Sequence, residues 1–222
     1  MNNININVTK LTSVDLLRRA NSFTTNKESK MSLATGYKYQ HSPIRTQLFW
    51  IEMRNIPLFC ASQFVRSHVG VQWYQRSKRT DRGGADFREI CKDIVEDLGN
   101  IYTAIDEGKE YEPLDILGNA RAIEEMPNEF DRYAPTDLAC LINAEAIINM
   151  SHKRLCMKAS DETRWIWEKV LSEGIANVDP DLYQFCVMPC VHKGFCSEPK
   201  SCGWCGGKIY GRQRDKYLKL FE

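Results

Sequence analysis

One largely apolar segment, residues 136–158, carries polar side chains that a buried element cannot hold without partners. The spacing of its apolar residues predicts one long helix. On such a helix Asn143 and Arg154 lie on the same stripe, about three turns apart, and Asn149 lies one position beside it. Because a buried guanidinium needs an anionic partner, the segment predicts either an internal ion pair or a site for an anionic ligand.

A second segment, residues 66–82, concentrates basic side chains in a chain of 222 residues whose formal net charge is only +1. Its cations are Arg66, Arg76, Lys78, Arg79 and Arg82. A surface for nucleic acid requires a basic excess spread over a whole face. Two arginine-bearing segments in a nearly neutral chain favour a small, multiply charged ligand and no nucleic-acid partner.

The composition is that of an ordinary soluble domain, with 43% hydrophobic and 27% charged residues. No run approaches the roughly 18 apolar residues that a bilayer-spanning helix needs. The N-terminus also lacks the basic-then-apolar order of a secretory signal. We therefore expect a cytoplasmic protein with no membrane partner.

Local signals predict an α+β fold, with helices packed on a mostly antiparallel sheet. A strand is expected over residues 46–56, where aromatic and β-branched residues mix with polar ones. Pro57 is expected to begin a helix that places Arg66 and His68 in its last turn, before Gly70. Residues 22–40 give little pattern. Further helices are expected at residues 13–21, 86–106, near 119–125 and after the capping residue Ser160.

The nine cysteines fall into two groups. Cys60, Cys91, Cys140 and Cys156 are isolated in apolar segments, where buried thiols are the simplest interpretation. The tail has Cys190, Cys196, Cys202 and Cys205 in a C-x5-C-x5-C-x2-C pattern, with Cys186 and His192 as spare donors. Thiolates on tight turns suit a structural zinc ion. Unligated thiols and a redox or iron–sulfur role remain open, and a nucleophilic Cys190 is a weaker alternative.

Four stretches, in this order, resemble the flavin-dependent thymidylate synthases, the ThyX family. Residues 41–53 (HSPIRTQLFWIEM) are similar to its flavin segment, and residues 64–79 (FVRSHVGVQWYQRSKR) to its Arg-His-Arg signature with a serine and an arginine following. Residues 131–135 (DRYAP) and the helix-like segment from Leu141 (LINAEAIINMSHKRLCMKASDETRW) resemble its two later motifs. A ThyX-like catalytic domain over residues 1–185 and a cysteine-rich element over 186–222 are therefore expected.

The resemblance implies FAD as cofactor, NADPH and 5,10-methylenetetrahydrofolate as co-substrates, and dUMP as the pyrimidine nucleotide that becomes dTMP. It also implies a homotetramer. The residues implied to contact the flavin are Ser42, Arg66, His68, Asn143 and Asn149. Those implied to hold the nucleotide are Gln75, Ser77, Arg79, Arg132 and Arg154, with Arg154 and Ser77 the catalytic candidates.

Several positions depart from the family pattern. The signature here is Arg66-Ser67-His68, Gln75 replaces an acidic residue, and the charges at Arg45 and Glu145 are both reversed. We expect Arg45 and Glu145 to have exchanged signs as one compensating pair. The rewritten pocket leaves two alternatives open: formation of another 5-substituted nucleotide such as 5-hydroxymethyl-dUMP, and a nucleotide-binding protein without catalysis. A zinc-ribbon nucleic-acid module based on the tail is a third, and it leaves residues 40–170 unexplained.

Overall fold

A four-stranded sheet organises the chain, seen here in a computed structural model that describes residues 4–76, 96, 99, 102, 103, 106, 107 and 134–222. The strands are β1 (Asn5–Lys10), β2 (Leu48–Pro57), β3 (Val71–Gln75) and β4 (Pro135–Asn143), in the order β1-β2-β4-β3. The pairs β1–β2 and β3–β4 are antiparallel. The amide of Ala144 donates to Gln47 at one end of β2, and that of Asn55 donates to Asp137 at the other, so β4 also runs antiparallel to β2.

The helices of the described residues complete an α+β fold, as predicted. They are α1 (Val14–Thr25), α2 (Leu33–Tyr39), α3 (Leu58–Phe64), α4 (Ala144–Arg154), α5 (Asp161–Lys169), α6 (Ala176–Val178), α7 (Pro180–Tyr183), α8 (Pro189–Lys193) and α9 (Lys208–Leu218). A π-helical segment, Val170–Ile175, joins α5 to α6. Short 3-10 helices cover Ser42–Thr46, Trp204–Gly206 and Lys219–Phe221. None of these helices has the length and apolarity that crossing a bilayer requires.

The chain divides into two compact units. One comprises Met1–Ile56, Cys60–Gln75 and Asp137–Glu222, and the other comprises Pro57–Phe59 and Arg76–Thr136. Residues on both sides of the expected boundary at position 186 belong to the first unit. The helices expected at 86–106 and near 119–125 lie outside the described residues, apart from isolated positions in the first of them.

The long helix expected over residues 136–158 is wrong in its first third. Pro135–Asn143 forms β4, in which Leu138, Cys140 and Ile142 are buried in alternation. This period of two is the strand signature. The helix begins only after Asn143, whose side-chain Oδ1 accepts a hydrogen bond from the Ala146 amide at 2.9 Å. An asparagine at this position satisfies one of the free amides of the first turn, so Asn143 fixes where β4 ends and α4 begins.

Other local predictions are confirmed or corrected in detail. The strand expected over 46–56 matches β2, and Ser160 caps α5 by accepting from the Thr163 amide. Helix α3 begins after Pro57 but ends at Phe64, so Arg66 and His68 follow the helix. Helix α1 extends to Thr25, beyond the predicted end, and α2 forms where no pattern was evident.

Two glycines permit close approaches within the first unit. A side chain on Gly174, in the π-helical segment, would collide with the Val8 side chain of β1, so only glycine lets this segment pack on the sheet. Gly70 has a φ of 74°, and a Cβ there would lie 2.6 Å from the amide nitrogen of Asn143. Gly70 thus turns the chain into β3 beside the residue that caps α4.

Candidate functional site

Three cavities lie around the C-terminal end of α4. The large cavity, of about 710 Å³, includes Arg66, His68, Asn149, His152 and Lys193 in its lining. The arginine cavity, of about 390 Å³, includes Gln63, Arg154, Lys158, Ser160 and Thr163. Both share Lys153, Cys156 and Glu198 and are therefore adjacent. Ligand pockets generally measure about 300–1,000 Å³, so each of these two can hold a small organic ligand.

Arg154 is the last residue of α4 and lines the arginine cavity. One guanidinium nitrogen donates to the backbone carbonyl of Gln63, and the guanidinium carbon lies 6.0 Å from the centroid of the Phe64 ring. Its Nε atom is buried and has no hydrogen-bond partner among residues 4–76 and 134–222. Burial and, to a smaller extent, the nearby charge of Arg66 lower the pKa of Arg154.

The guanidinium of Arg154 has no carboxylate within ion-pair distance among the described residues. The internal ion pair, one of the two explanations that the sequence offered for this arginine, is thus not present in the described part of the chain. A half-buried cation beside a cavity is an arrangement suited to an anion or to a polarised carbonyl. We therefore regard Arg154 as the centre of the candidate site.

The large cavity is lined by more cations than anions. Arg66, Lys153 and Lys193 line it together with one carboxylate, that of Glu198. Arg66 is exposed, and it donates a long 3.5 Å hydrogen bond to the Gln63 side chain. Asn149 and His68 are also exposed in this lining. The cavity therefore combines positive charge with amide and imidazole groups, which suits a phosphate-bearing heterocycle.

Two histidines stack at the wall of the large cavity. The rings of His152, on α4, and His192, on α8, have centroids 4.5 Å apart and an interplanar angle of 27°. The Nε2 atom of His152 is buried and has no partner in the described part of the chain, whereas Nδ1 of His192 lies 2.8 Å from the Tyr217 hydroxyl. Burial, followed by the neighbouring His192 and Lys193, lowers the pKa of His152 to about 4. His152 is therefore neutral at pH 7.

The third cavity, which we call the cysteine cavity, is small, with a volume of about 20 Å³. Cys190, Cys196, Cys202 and Cys205 of the tail line it together with Cys156, which follows α4. All five thiols are free. Among the described residues no three His, Cys, Asp or Glu side chains are arranged so as to hold a metal ion. The four cysteines expected to bind zinc thus share a cavity but are not in ligand geometry.

The structure brings together only part of the predicted site. Arg66, His68 and Asn149 share the large cavity, with Arg154 in the adjacent one. Asn143 instead caps α4, and Ser42 is exposed at the start of a 3-10 helix. Gln75, the last residue of β3, is exposed and is not in the described linings of either cavity. The predicted nucleotide-binding residues Ser77, Arg79 and Arg132 lie outside the described residues.

Arg45 and Glu145 form the pair that their reversed charges suggest. The Nε of Arg45 lies 2.8 Å from one Glu145 carboxylate oxygen, and its Nη2 lies 3.1 Å from the other. The hydrogen bond and the charge of Glu145 raise the pKa of Arg45. Glu145 lies in the first turn of α4, where a negative charge is favourable. The pair therefore links the 3-10 helix before β2 to the start of α4.

Sequence reasoning did not identify His152, Lys153, Cys156 and Glu198 as parts of this region. The first three follow one another at short intervals on and just after α4, and a helical-wheel inspection around Arg154 could have found them. Cys156 was interpreted as a buried thiol, because its relation to the tail depends on tertiary packing. Glu198 lies in a glycine- and proline-containing loop, and no periodic signal marks it.

Neither a protein-family model nor a curated protein matches this chain. Among solved structures, it is similar to thymidylate synthase X (ThyX) from Helicobacter pylori, crystallised with FAD and dUMP, with 15% identity and a TM-score of 0.49, over 84% of this chain and 99% of that one. It is also similar to the UMP/dUMP methylase PolB from Streptomyces cacaoi, bound to 5-Br dUMP, with 14% identity and a TM-score of 0.48, over 84% and 98%. Likenesses this distant assign neither a family nor a function, so the functional argument rests on the residues themselves.

Proposed function

We propose that the chain is a flavin-dependent enzyme that transfers a one-carbon unit from methylenetetrahydrofolate to C5 of dUMP, giving dTMP. The observation that carries the proposal is the half-buried guanidinium of Arg154, which lacks a carboxylate partner in the described residues and lines a cavity of nucleotide size. The motif resemblance, which covers most of residues 40–170, supplies the identity of the reaction. The two lines of argument are independent, since one rests on sequence order and the other on geometry.

Arg154 would act on the pyrimidine ring. Bond formation at C5 without an enzyme thiol requires the ring to be polarised, so that negative charge develops on its carbonyl oxygens. A fixed guanidinium donor aimed at such an oxygen stabilises that charge most strongly where water is excluded. The Gln63 carbonyl and the Phe64 ring hold the guanidinium in place before the ligand arrives. Arg154 would thus bind the nucleotide and lower the barrier of the reaction.

The size and charge of the large cavity support FAD as its ligand. Its 710 Å³ and its cations Arg66, Lys153 and Lys193 suit a bulky ligand that carries a pyrophosphate. Asn149 offers both a donor and an acceptor to a heterocycle, and His68 offers an imidazole at the same wall. When bound, reduced FAD would relay the one-carbon unit, with NADPH as the reductant. We include Ser42 and Asn143 as flavin-contacting candidates on the resemblance alone.

The shared wall of the two cavities would place cofactor and nucleotide side by side. Lys153, Cys156 and Glu198 line both. Holding two reactants in adjoining sites converts an encounter between molecules into a step within one complex, which can account for a large part of a rate enhancement. Gln75, Ser77, Arg79 and Arg132 are proposed to hold the rest of the nucleotide, and assembly as a homotetramer is proposed to complete the site.

The first test is flavin retention with and without dUMP. Purified protein is incubated with FAD, desalted and heated to release bound flavin, whose fluorescence is then measured. We expect retained flavin that increases with dUMP. The same preparation, supplied with NADPH, methylenetetrahydrofolate and dUMP labelled with tritium at C5, should release tritium and form dTMP, identified by mass spectrometry.

Arg154→Lys provides the matched variant, because it keeps the charge but loses the planar donor fork. We expect it to retain flavin but to release tritium at least about 100-fold more slowly. Arg54→Gln, on an exposed side chain of β2, is the control and should match the wild type. Flavin and nucleotide binding without tritium release would favour the binding-protein alternative, and tritium release with a heavier product would favour 5-hydroxymethyl-dUMP. Absence of both flavin and nucleotide binding would reject the proposal.

A further inference from the structure

One acidic residue of the tail, Glu198, lines all three cavities around the end of α4. Among the described lining residues of the arginine cavity it is the only acidic one, beside the cations Lys153, Arg154 and Lys158. Its side chain is exposed and forms no ion pair with another residue in the described part of the chain. Glu198 is therefore a charged hydrogen-bond acceptor that is open to a ligand.

The loop that carries Glu198 is constrained at both ends. Gly194, at its start, has a φ of 88°, and its carbonyl accepts a hydrogen bond from the Tyr210 hydroxyl at 2.9 Å. Gly203, at its end, has a φ of 80°. Pro199 directly follows Glu198, and the residue before a proline is biased towards an extended backbone. The fold thus holds Glu198 at the wall of the cavities.

A carboxylate in a cavity for anions opposes binding unless the ligand offers it a hydrogen-bond donor. Both proposed ligands, FAD and dUMP, carry phosphate, and a negative side chain among the cations that attract them weakens their binding by like-charge repulsion. A donor on the ligand offsets this repulsion, because a hydrogen bond to a charged acceptor is stronger than one between neutral groups. The uracil ring has one such donor, N3–H, between its two carbonyls.

We propose that Glu198 accepts a hydrogen bond from N3–H of the uracil ring while Arg154 donates to an adjacent ring carbonyl. The inference rests on the proposed function, because it assigns the base edge of the same nucleotide. A donor side chain and an acceptor side chain in one cavity match the neighbouring acceptor and donor of the uracil edge. Glu198 is thereby a specificity-determining residue that the cysteine-rich tail contributes to the site.

The pair formed by Arg154 and Glu198 distinguishes uracil from cytosine. In cytosine the ring atom N3 is an acceptor, so it would face the carboxylate where uracil presents N3–H. The amino group of cytosine could donate to Glu198 only if the ring moved by one atom, which would displace C5 from its position for reaction. A site whose polar groups match one ligand leaves them unpaired against another, and this rejects the second ligand strongly. The proposal thus predicts selectivity for dUMP over dCMP.

The test is a thermodynamic cycle that changes both the ligand and the protein. The full chain, with FAD present, is titrated calorimetrically with dUMP, with dCMP and with dUMP methylated at N3, which lacks the donor. We expect the wild type to bind dUMP at least about tenfold more tightly than either analogue. Glu198→Ala should bind dUMP at least about tenfold more weakly than the wild type and should lose most of this preference. Methylation adds the same bulk in both proteins, so the difference between them isolates the N3–H contact.

Glu168→Ala is the matched control, since Glu168 is exposed on α5 and lies outside the described linings of the three cavities. It should bind all three nucleotides as the wild type does. Equal or tighter binding of dUMP by Glu198→Ala, with an unchanged preference, would overturn the proposal, because a carboxylate that only repels anions weakens the binding of every nucleotide alike. Absence of dUMP binding by the wild type would instead reject the proposed function, and this inference with it.

Discussion

Two charged centres of the first unit, Asp179 and Arg154, differ in how completely their polar atoms are paired. Asp179 is buried, with 2% of its surface exposed, and its carboxylate accepts from Lys10 and Tyr37 at 2.7 Å each and from the Leu182 amide at 3.0 Å. Within the described part of the chain, Arg154 has one hydrogen bond, to a backbone carbonyl, and a buried Nε without a partner.

The difference separates a structural centre from a candidate binding centre. Asp179 connects β1, α2 and the start of α7, and burial together with the Asp179 charge raises the pKa of Tyr37 well above its ordinary value. Its capacity to accept hydrogen bonds is used within the fold. The incomplete pairing of Arg154 costs stability unless a ligand supplies the missing acceptor. Unpaired polar atoms beside a cavity are therefore a better indicator of function than a buried charge whose hydrogen bonds are all made within the fold.

Removing the carboxylate charge at Asp179 should produce the largest loss of stability. In Asp179→Asn the Lys10 ammonium loses its anion in a nearly buried position, and breaking such a pair costs about 3–5 kcal/mol. Urea unfolding followed by circular dichroism measures the change. Asp181→Asn, two residues along on α7, is the control and should stay within about 1 kcal/mol of the wild type. Equal midpoints for the two variants would show that Asp179 is not a structural centre.

In contrast to Asp179→Asn, the substitution Arg154→Gln should affect ligand binding far more than the stability of the fold. It removes a half-buried charge that has no carboxylate partner in the described residues, so the free energy of unfolding should change by less than about 1 kcal/mol. Loss of a charged group that contacts the ligand costs at least about 2 kcal/mol, or roughly 30-fold in dUMP affinity. Calorimetric titration with dUMP and urea unfolding of the same samples give both quantities. A large loss of stability with unchanged affinity would place Arg154 among the structural residues.

The buried ring of His152 should make the stability of the fold depend on pH. Its pKa is about 4 in the folded chain and near 6.5 when unfolded, so the unfolded state binds the proton more readily. The lowered pKa of His152 therefore makes a contribution to the free energy of unfolding that is complete above pH 6.5. This contribution is lost as the pH falls towards 4, by at most about 3 kcal/mol. The charged groups that face it, His192 and Lys193, act in the same direction.

Unfolding midpoints measured between pH 4 and 8 test this expectation. His152→Gln should depend less on pH than the wild type, and the difference between the two curves isolates His152 from the acidic residues that also titrate. His68→Gln, at an exposed histidine of the same cavity, should follow the wild type. Parallel curves for the wild type and His152→Gln would show that burial does not suppress protonation of this ring.

Local signals and tertiary signals explain what the sequence could and could not predict. β2 and the Ser160 cap were predictable because each has a strong pattern within a few residues. β4 was not, because the run from Leu138 to Ile148 is apolar at intervals that satisfy both a strand and a helix. Asn143, which decides between them, was interpreted as a ligand contact. Arg154 was singled out by its position in an apolar segment, and its role in a site stays a prediction. The position of Cys156 beside the tail cysteines depends on tertiary packing, which no local pattern indicates.

The smallest effect on stability should come from substitutions in the pair Arg45 and Glu145. This pair shares features with both Asp179 and Arg154. It is bidentate, like a structural pair, but Arg45 is 60% exposed, so water and salt weaken the attraction. Glu145→Arg should destabilise more than Arg45→Glu, because it also places a positive charge at the N-terminus of α4. The double swap should recover only part of the loss, since it restores the pair but leaves the helix terminus unfavourable.

Flavin retention measured in the wild type, the two single variants and the double swap distinguishes a structural role of this pair from a flavin-binding role. If Arg45 and Glu145 only join two elements, flavin retention should follow stability, falling in the single variants and recovering partly in the double swap. If Arg45 itself contacts the flavin phosphates, retention should stay low in the double swap although stability recovers. We expect the first result, because the Nε and Nη2 atoms of Arg45 already donate to the two carboxylate oxygens of Glu145. Raising the salt concentration should reduce the differences in stability among the four proteins, as it does for exposed pairs.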